Sequence, residues 1–162
     1  MKYVIGFLAM AVMFTACQQK KQYFTSAPEI DLVKKVDQSY ASADWETLRG
    51  TYADTTKIWL NTWGGQDAIS VDTLMARLQT ARANYTDVKM GEPIVYEMIE
   101  TDDGTRWVHR WTRWDVTHKN GKSFSYPSHA SFMVSDGKIR GAGYIFNALP
   151  GYLANQDSTA KK

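Results

Sequence analysis

Apolar and polar positions along this chain repeat with two different periods, and the change between them falls near Val88. Upstream the spacing is helical. In residues 26–40, SAPEIDLVKKVDQSY, the side chains of Ile30, Val33, Val36 and Tyr40 recur three or four positions apart and so share one helix face. Ser26 and Glu29 have capping-box spacing, and Pro28 suits a first helical turn, where a missing N–H costs nothing. A second helix is predicted over residues 42–54, SADWETLRGTYAD, from Trp45, Leu48 and Tyr52. A third is predicted over residues 70–85, SVDTLMARLQTARANY, from Leu74, Leu78 and Ala81, with Ser70 as its cap. Between the last two, TKIWLNTW reads as a short strand.

From Val88 onward the period is two, interrupted by TDDGT, KNGK and SDGK. Asp-Gly and Asn-Gly pairs favour two-residue hairpin turns, because both central residues must adopt positive φ. Placing such turns at Asp103-Gly104, Asn120-Gly121 and Asp136-Gly137 fixes the register of an antiparallel meander. One face then gathers Tyr96 and Met98, then Trp107, His109, Trp111, Arg113 and Asp115, then Ala130 and Phe132, then Gly141, Gly143, Ile145 and Asn147. The other gathers Val95, Glu97, Ile99, Val108, Arg110, Trp114, Val116, His129, Met133, Tyr144 and Phe146, with Glu97 across from Arg110 as an opposite-charge pair.

On the first face bulky Trp111 stands beside Ala130 and Gly143, and large walls over a small floor leave a hollow of the kind that holds ligands. Trp59, Trp63, Tyr96, Trp111 and Phe132 are the expected walls, with His109, Arg113 and Asn147 as orienting polar groups. A plain core reading competes for Trp107 and Trp111, and Arg113 has the alternative of pairing with Asp115 or Glu92. The strand IWLNTW can present either alternate set. The second face is an apolar patch with nothing but LPGYLANQ to cover it, and patches of that kind mark contact surfaces, so a homodimer through the outer sheet face is expected.

The first residues read differently. Lys2, an apolar run from Tyr3 to Phe14 and small residues ahead of Cys17 have the layout of a secretory signal, too short to span a bilayer as a mature helix. FTAC resembles the lipobox of bacterial lipoproteins, which implies lipid attachment at Cys17, the only cysteine. The organisation expected is a signal peptide over residues 1–16, a lipidated cysteine and tether over 17–26, one domain over 27–150 and a tail over 151–162. That predicts an exported protein held in the bacterial cell envelope through Cys17. Gln18 behind the cysteine is compatible with sorting to the periplasmic side of the outer membrane. A net charge of +2 spread along 162 residues, with no basic run, argues against nucleic acid.

Three helices with a short strand among them, ADWETLRGTYAD, and a long meander carrying DGKI (Asp136 to Ile139) before its last strand resemble the SnoaL-like branch of the nuclear transport factor 2-like superfamily over roughly residues 28–149. The resemblance implies an α+β fold, a cone-shaped curved antiparallel sheet wrapped around three N-terminal helices, with a pocket on its concave side and commonly a dimer. It does not imply one activity, since relatives include isomerases, cyclases, dehydratases and proteins without known catalysis. Many members carry an aspartate eight residues after the isoleucine of DGKI; this chain has Asn147 there, and an amide cannot be a carboxylate base.

The remaining catalytic candidates are His109, whose imidazole titrates near neutrality, and Asp115. Six residues apart on one strand, they are separated by about 20 Å and form no dyad. No phosphate loop or nucleophile elbow is present, and His109, His118 and His129 do not converge on a metal, so neither a metal nor a cofactor is expected. The reading is a lipoprotein whose cone domain binds a small, partly apolar molecule. The alternatives are a SnoaL-like isomerase, cyclase or dehydratase using His109 or Asp115, and a non-catalytic envelope scaffold or dimerisation module.

Overall fold

The computed structural model describes residues 22–62 and 67–159, with side chains described up to Gln156. Cys17 and Trp63 lie outside the described residues. Helix α1 (Pro28–Ser42) places Ile30, Val33 and Val36 in the core, as the helical spacing requires. Pro28 opens it, but the N-cap is Ala27, with no side-chain bond, so Ser26 does not cap. Helix α2 (Trp45–Gly50) is short, capped by Asp44, which accepts a hydrogen bond from the Thr47 amide. Strand β2 (Tyr52–Leu60) follows at once, so Tyr52 belongs to a strand rather than to the predicted second helix. Helix α3 (Val71–Arg82) is capped by Ser70 as predicted, Oγ accepting from the Thr73 amide at 3.2 Å.

The meander comprises β3 (Tyr85–Glu100), β4 (Arg106–His118), β5 (Ser123–Ser135) and β6 (Lys138–Phe146). A two-residue strand β1 (Tyr23–Phe24) pairs antiparallel with the end of β3 at Ile99 and Met98, so ordered pairing begins ahead of residue 27. At the other edge β2 runs parallel to β6, and the curved, unclosed sheet has the order β1-β3-β4-β5-β6-β2. The sheet is therefore mixed rather than wholly antiparallel. A fourth helix, α4 (Leu149–Thr159), occupies what reads from sequence as a tail. Among the described residues no helix is long and apolar enough to cross a membrane.

The predicted register holds at one turn and slips at two. Asp136-Gly137 is a two-residue turn with both residues at positive φ, and Ser135 pairs with Lys138. At the first hairpin Thr101 pairs with Thr105 across three residues, because the Asp103 carboxylate accepts from both the Thr101 hydroxyl and the Thr105 amide and only Gly104 takes positive φ. At the second, His118 pairs with Lys122, and the Asn120 side chain accepts from the Lys122 amide. Each Asx side chain closes a wider turn than its dipeptide signals.

One extra residue on either side of β4 exchanges the faces of that strand alone. Val108, Arg110, Thr112, Trp114 and Val116 point to the interior, while His109, Trp111, Arg113 and Asp115 belong to the outer face. Glu97 pairs with His109, and Arg110 with Tyr96, so the expected Glu97–Arg110 pair does not form. In β6 a bulge at Arg140 moves the pairing by one, and Ala142 and Tyr144 rather than Gly143 and Ile145 join the core.

The main core joins Ile30, Val33 and Val36 of α1 to Leu48, Ile58 and Leu74 and to sheet residues Met98, Val108, Phe132 and Ile139. Each such side chain contributes roughly 1.5–3 kcal/mol on burial. A smaller cluster, Val88, Trp114 and Val116 with Tyr40 and Phe124 against it, lies toward the other end of the long strands. Between the two clusters the helices stand off from the sheet, and residues of both line the space that remains.

Candidate ligand-binding site

A cavity of about 470 Å³ opens between the helices and the inner sheet face. Leu48, Leu60, Leu74, Leu78 and Phe146 give it apolar walls, and Ala148, Gly151 and Tyr152 bring α4 to its edge. Its polar centre is built from side chains on separate elements. Asp37 projects from α1, one turn beyond Val33 and three residues before Tyr40, so the apolar stripe of that helix carries a carboxylate into the interior. Arg110 projects from β4 opposite Tyr96 on one side and the small Ala130 on the other.

Asp37 and Arg110 are 3% and 1% exposed. Arg110 Nε lies 3.4 Å from Asp37 Oδ2, and the same oxygen accepts a hydrogen bond from the Tyr96 hydroxyl at 2.9 Å. Nε and Nη1 of Arg110 are buried without a hydrogen-bond partner, and the guanidinium stands 5.8 Å from the Trp114 ring centroid. Burial pushes the Asp37 carboxyl above the usual carboxylate range, against the opposing pull of Arg110 and of the Tyr96 hydrogen bond. Burial likewise raises the Tyr96 and Tyr144 hydroxyls, so both stay protonated as donors. Tyr52 and Tyr144 hydrogen-bond to each other at the cavity wall.

The sequence-predicted residues divide. Tyr96 reaches the polar centre through Asp37, Asn147 lines the cavity, and Phe132 is packed in the adjoining core. The Asn147 Oδ1 also accepts from the Leu149 amide at the start of α4. Trp59 alternates with Ile58 and Leu60 and does not line the cavity. Trp111, His109, Arg113 and Asp115 stand on the far side of the sheet, so the hollow expected between Trp111 and Gly143 does not form.

On that outer face Arg113 donates from Nε and Nη2 to the two oxygens of Asp115 at 2.9 and 3.1 Å, over Gly91, where a Cβ would collide with both groups. The Arg113 hydrogen bond, helped by Ser125, holds Asp115 below the usual carboxylate range, which is wrong for a base near neutral pH. His109 and His129 stack with ring centroids 5.6 Å apart, Trp111 covers His129 at 4.7 Å, and His109 Nδ1 is 2.9 Å from Ser131 Oγ. Partial burial holds both imidazoles below their ordinary value, reinforced at His129 by the charge of its neighbour His109. Together they form a packed surface layer on the opposite face of the sheet from the cavity.

Asp37, Arg110 and the Tyr52–Tyr144 pair are among the polar cavity residues that sequence reasoning missed. The signals were present: an aspartate within the Val33-Tyr40 stripe and an arginine alternating with Val108, Thr112, Trp114 and Val116. A charge on an apolar face marks a buried pair or a site. Among the described residues no three His, Cys, Asp or Glu side chains gather as metal ligands, and the cavity offers donors and acceptors suited to an organic molecule.

No family model matches the chain, and no curated protein sequence matches it. Solved structures do. A candidate polyketide cyclase from Xanthomonas campestris pv. campestris is similar at TM-score 0.62 and 21% identity, covering 78% of this chain and 95% of that one. IdmH of Streptomyces antibioticus, described as a candidate polyketide cyclase, is similar at TM-score 0.58 and 20% identity over 76% and 94% of the two chains. AclR of Streptomyces galilaeus, described as a candidate hydroxylase, is similar at TM-score 0.63 and 14% identity over 80% and 96%. A protein described as NTF2-like, from Burkholderia xenovorans, adds a TM-score of 0.57 at 16% identity, over 78% and 95%. With its element order, curved six-stranded sheet and interior cavity, the chain has the nuclear transport factor 2-like fold of these proteins.

Proposed function

We infer that the protein binds a small, partly apolar molecule inside the cone. One observation carries this reading: a cavity of about 470 Å³, within the range of small-molecule sites, whose apolar walls surround a buried guanidinium with unpartnered donors. A scaffold with a merely filled interior has no use for that arrangement. Native mass spectrometry of protein from its own host tests it, with Ser128→Leu, which places a larger side chain on the cavity floor, as the comparison. A retained organic molecule lost in the folded variant supports the reading; bare protein in both sinks it.

The fold neighbours described as a cyclase and a hydroxylase support an enzymatic alternative. If it holds, the acid–base group belongs to the cavity, and Asp37, with its raised carboxyl and its bond from Tyr96, replaces His109 and Asp115 in that role. Turnover abolished by Asp37→Asn and retained in His109→Gln would favour it.

Export and anchoring rest on the sequence: the apolar run ahead of Cys17 and the FTAC motif. Incorporation of labelled fatty acid in cells, lost in Cys17→Ser, tests the anchor. A homodimer through the outer face is supported by the exposure of Val95, Ile99, Trp111 and Ile145, four large apolar side chains on that side of the sheet. Sedimentation of wild type and Trp111→Glu tests it, with dissociation expected in the variant.

A further inference from the structure

We propose, resting on the reading that the cavity binds an organic molecule, that its ligand is a monoanionic carboxylate on an apolar body, received by the end-on Nη1/Nη2 fork of Arg110. A guanidinium offers two planar forks. The Asp37 carboxylate approaches the Nε side at 3.4 Å through Oδ2, an oxygen it shares with the Tyr96 hydroxyl. That contact leaves both Nε and Nη1 without a hydrogen bond, although the side chain is only 2% exposed. Buried charged donors left unmatched are costly and uncommon in folded proteins. A carboxylate matches the fork bidentately, as neither an alcohol nor a single carbonyl does.

The surroundings narrow the choice. Trp114 flanks the guanidinium and Ala130 sits across the strand from it, so space remains beside the planar group. Of the two hydroxyl hydrogens in the Tyr52–Tyr144 pair one bridges the oxygens, so the other is not used in that bond, and both residues line the cavity. The buried charge of Arg110 is partly offset by Asp37, which suits a single negative charge better than a dianion; Arg77, the other arginine lining the cavity, is exposed. Leu48, Leu60, Leu74, Leu78 and Phe146 then take the apolar body, which points from the buried acid group toward α4.

The test compares two fluorescent probes of matched size, 1-pyrenebutyrate and 1-pyrenebutanol, titrated into the full-length protein. Wild type is expected to bind the acid at least about ten-fold more tightly than the alcohol, and Arg110→Met to shrink that preference to about two-fold or less. Because Arg110→Met leaves Asp37 buried alone and risks misfolding, Asp37→Asn supplies a second arm: it removes the competing carboxylate and should widen the preference. Equal affinity for the two probes in wild type overturns the carboxylate assignment and leaves the pocket reading standing. Undiminished preference in folded Arg110→Met, or an unwidened one in Asp37→Asn, overturns the role given to Arg110. Failure of both probes to bind wild type overturns both readings.

Discussion

Arg110 and Asp37 face each other across the interior, one from the middle of the sheet and one from the first helix, with a single close approach of 3.4 Å between them. The pair ties α1 to β4 and places charge where the neighbouring positions are apolar. Removing one partner strands the other, and each of Asp37→Ala and Arg110→Ala should cost about 3–5 kcal/mol. The double variant Asp37→Leu/Arg110→Met, which leaves no orphan, should cost much less than the sum. Urea denaturation of the four proteins measures this, and strictly additive losses would contradict the pairing.

Trp111 and Trp114 differ by three positions and lie on opposite faces, 41% and 5% exposed. Trp114→Ala should cost about 3–5 kcal/mol, since it empties a packed site beside Tyr40. Trp111→Ser should stay below about 1 kcal/mol in the monomer. Equal costs would refute the face assignment of β4.

The stacked His109 and His129 give the folded protein a characteristic acid response. Unfolded imidazoles take up protons near pH 6.5. The folded ones do so at lower pH, because burial and, at His129, the neighbouring ring and Arg110 oppose protonation while Glu97 favours it. The unfolded state therefore binds more protons in that window, and stability falls as pH drops through it, levelling once the folded rings charge. Asp37, raised by burial, acts in the reverse sense at its own titration. Melting curves between pH 7 and 5 should show a decline in wild type that flattens in His109→Gln/His129→Gln. A parallel decline in both proteins would remove the histidines as its cause.

Helix caps offer a local check. Ser70→Ala should cost about 1 kcal/mol, because the Thr73 amide loses its acceptor. Ser26→Ala should change stability by less than about 0.5 kcal/mol, since Ala27 occupies the capping position of α1. Chemical denaturation of the two variants separates them, and a larger loss at Ser26 would mean that the helix begins elsewhere.

The first and third helices and the four-stranded meander were legible in the sequence because periodicity reports which side of an element is buried; β1, α4 and the parallel pairing of β2 with β6 were not. The faces of β4 were not. Whether an Asx-Gly turn holds two residues or three depends on where the Asp103 and Asn120 side chains find their hydrogen bonds, and each choice reverses the faces of the strand beyond the turn. The misplacement of His109, Trp111, Arg113 and Asp115 is that single ambiguity, entered twice around one strand. The burial of Arg110 was legible in part, as a charge flanked by Val108 and Trp114, but its partner Asp37 lies 73 residues away on another element, as the two residue numbers show. No local pattern connects them.

Strand β6 carries a spare residue. Val134 pairs with Ile139 and Met133 with Gly141, so Arg140 has no opposite number; Arg140 is exposed and Gly141 is buried beneath Met133. Counting along a strand is a matter of odd and even, and this extra position is what brings Ala142, Tyr144 and Phe146 inward in step with Ile139. Deleting Arg140 would join Ile139 to Gly141 directly and leave the same side chains facing the cavity, at the expense of one surface ion pair to Asp136. Deleting Ala142 or Ile145 instead would reverse every position beyond the gap. Chain length in this hairpin is thus free to vary by one at residue 140, whereas two residues farther on the same change would turn the ligand chamber inside out.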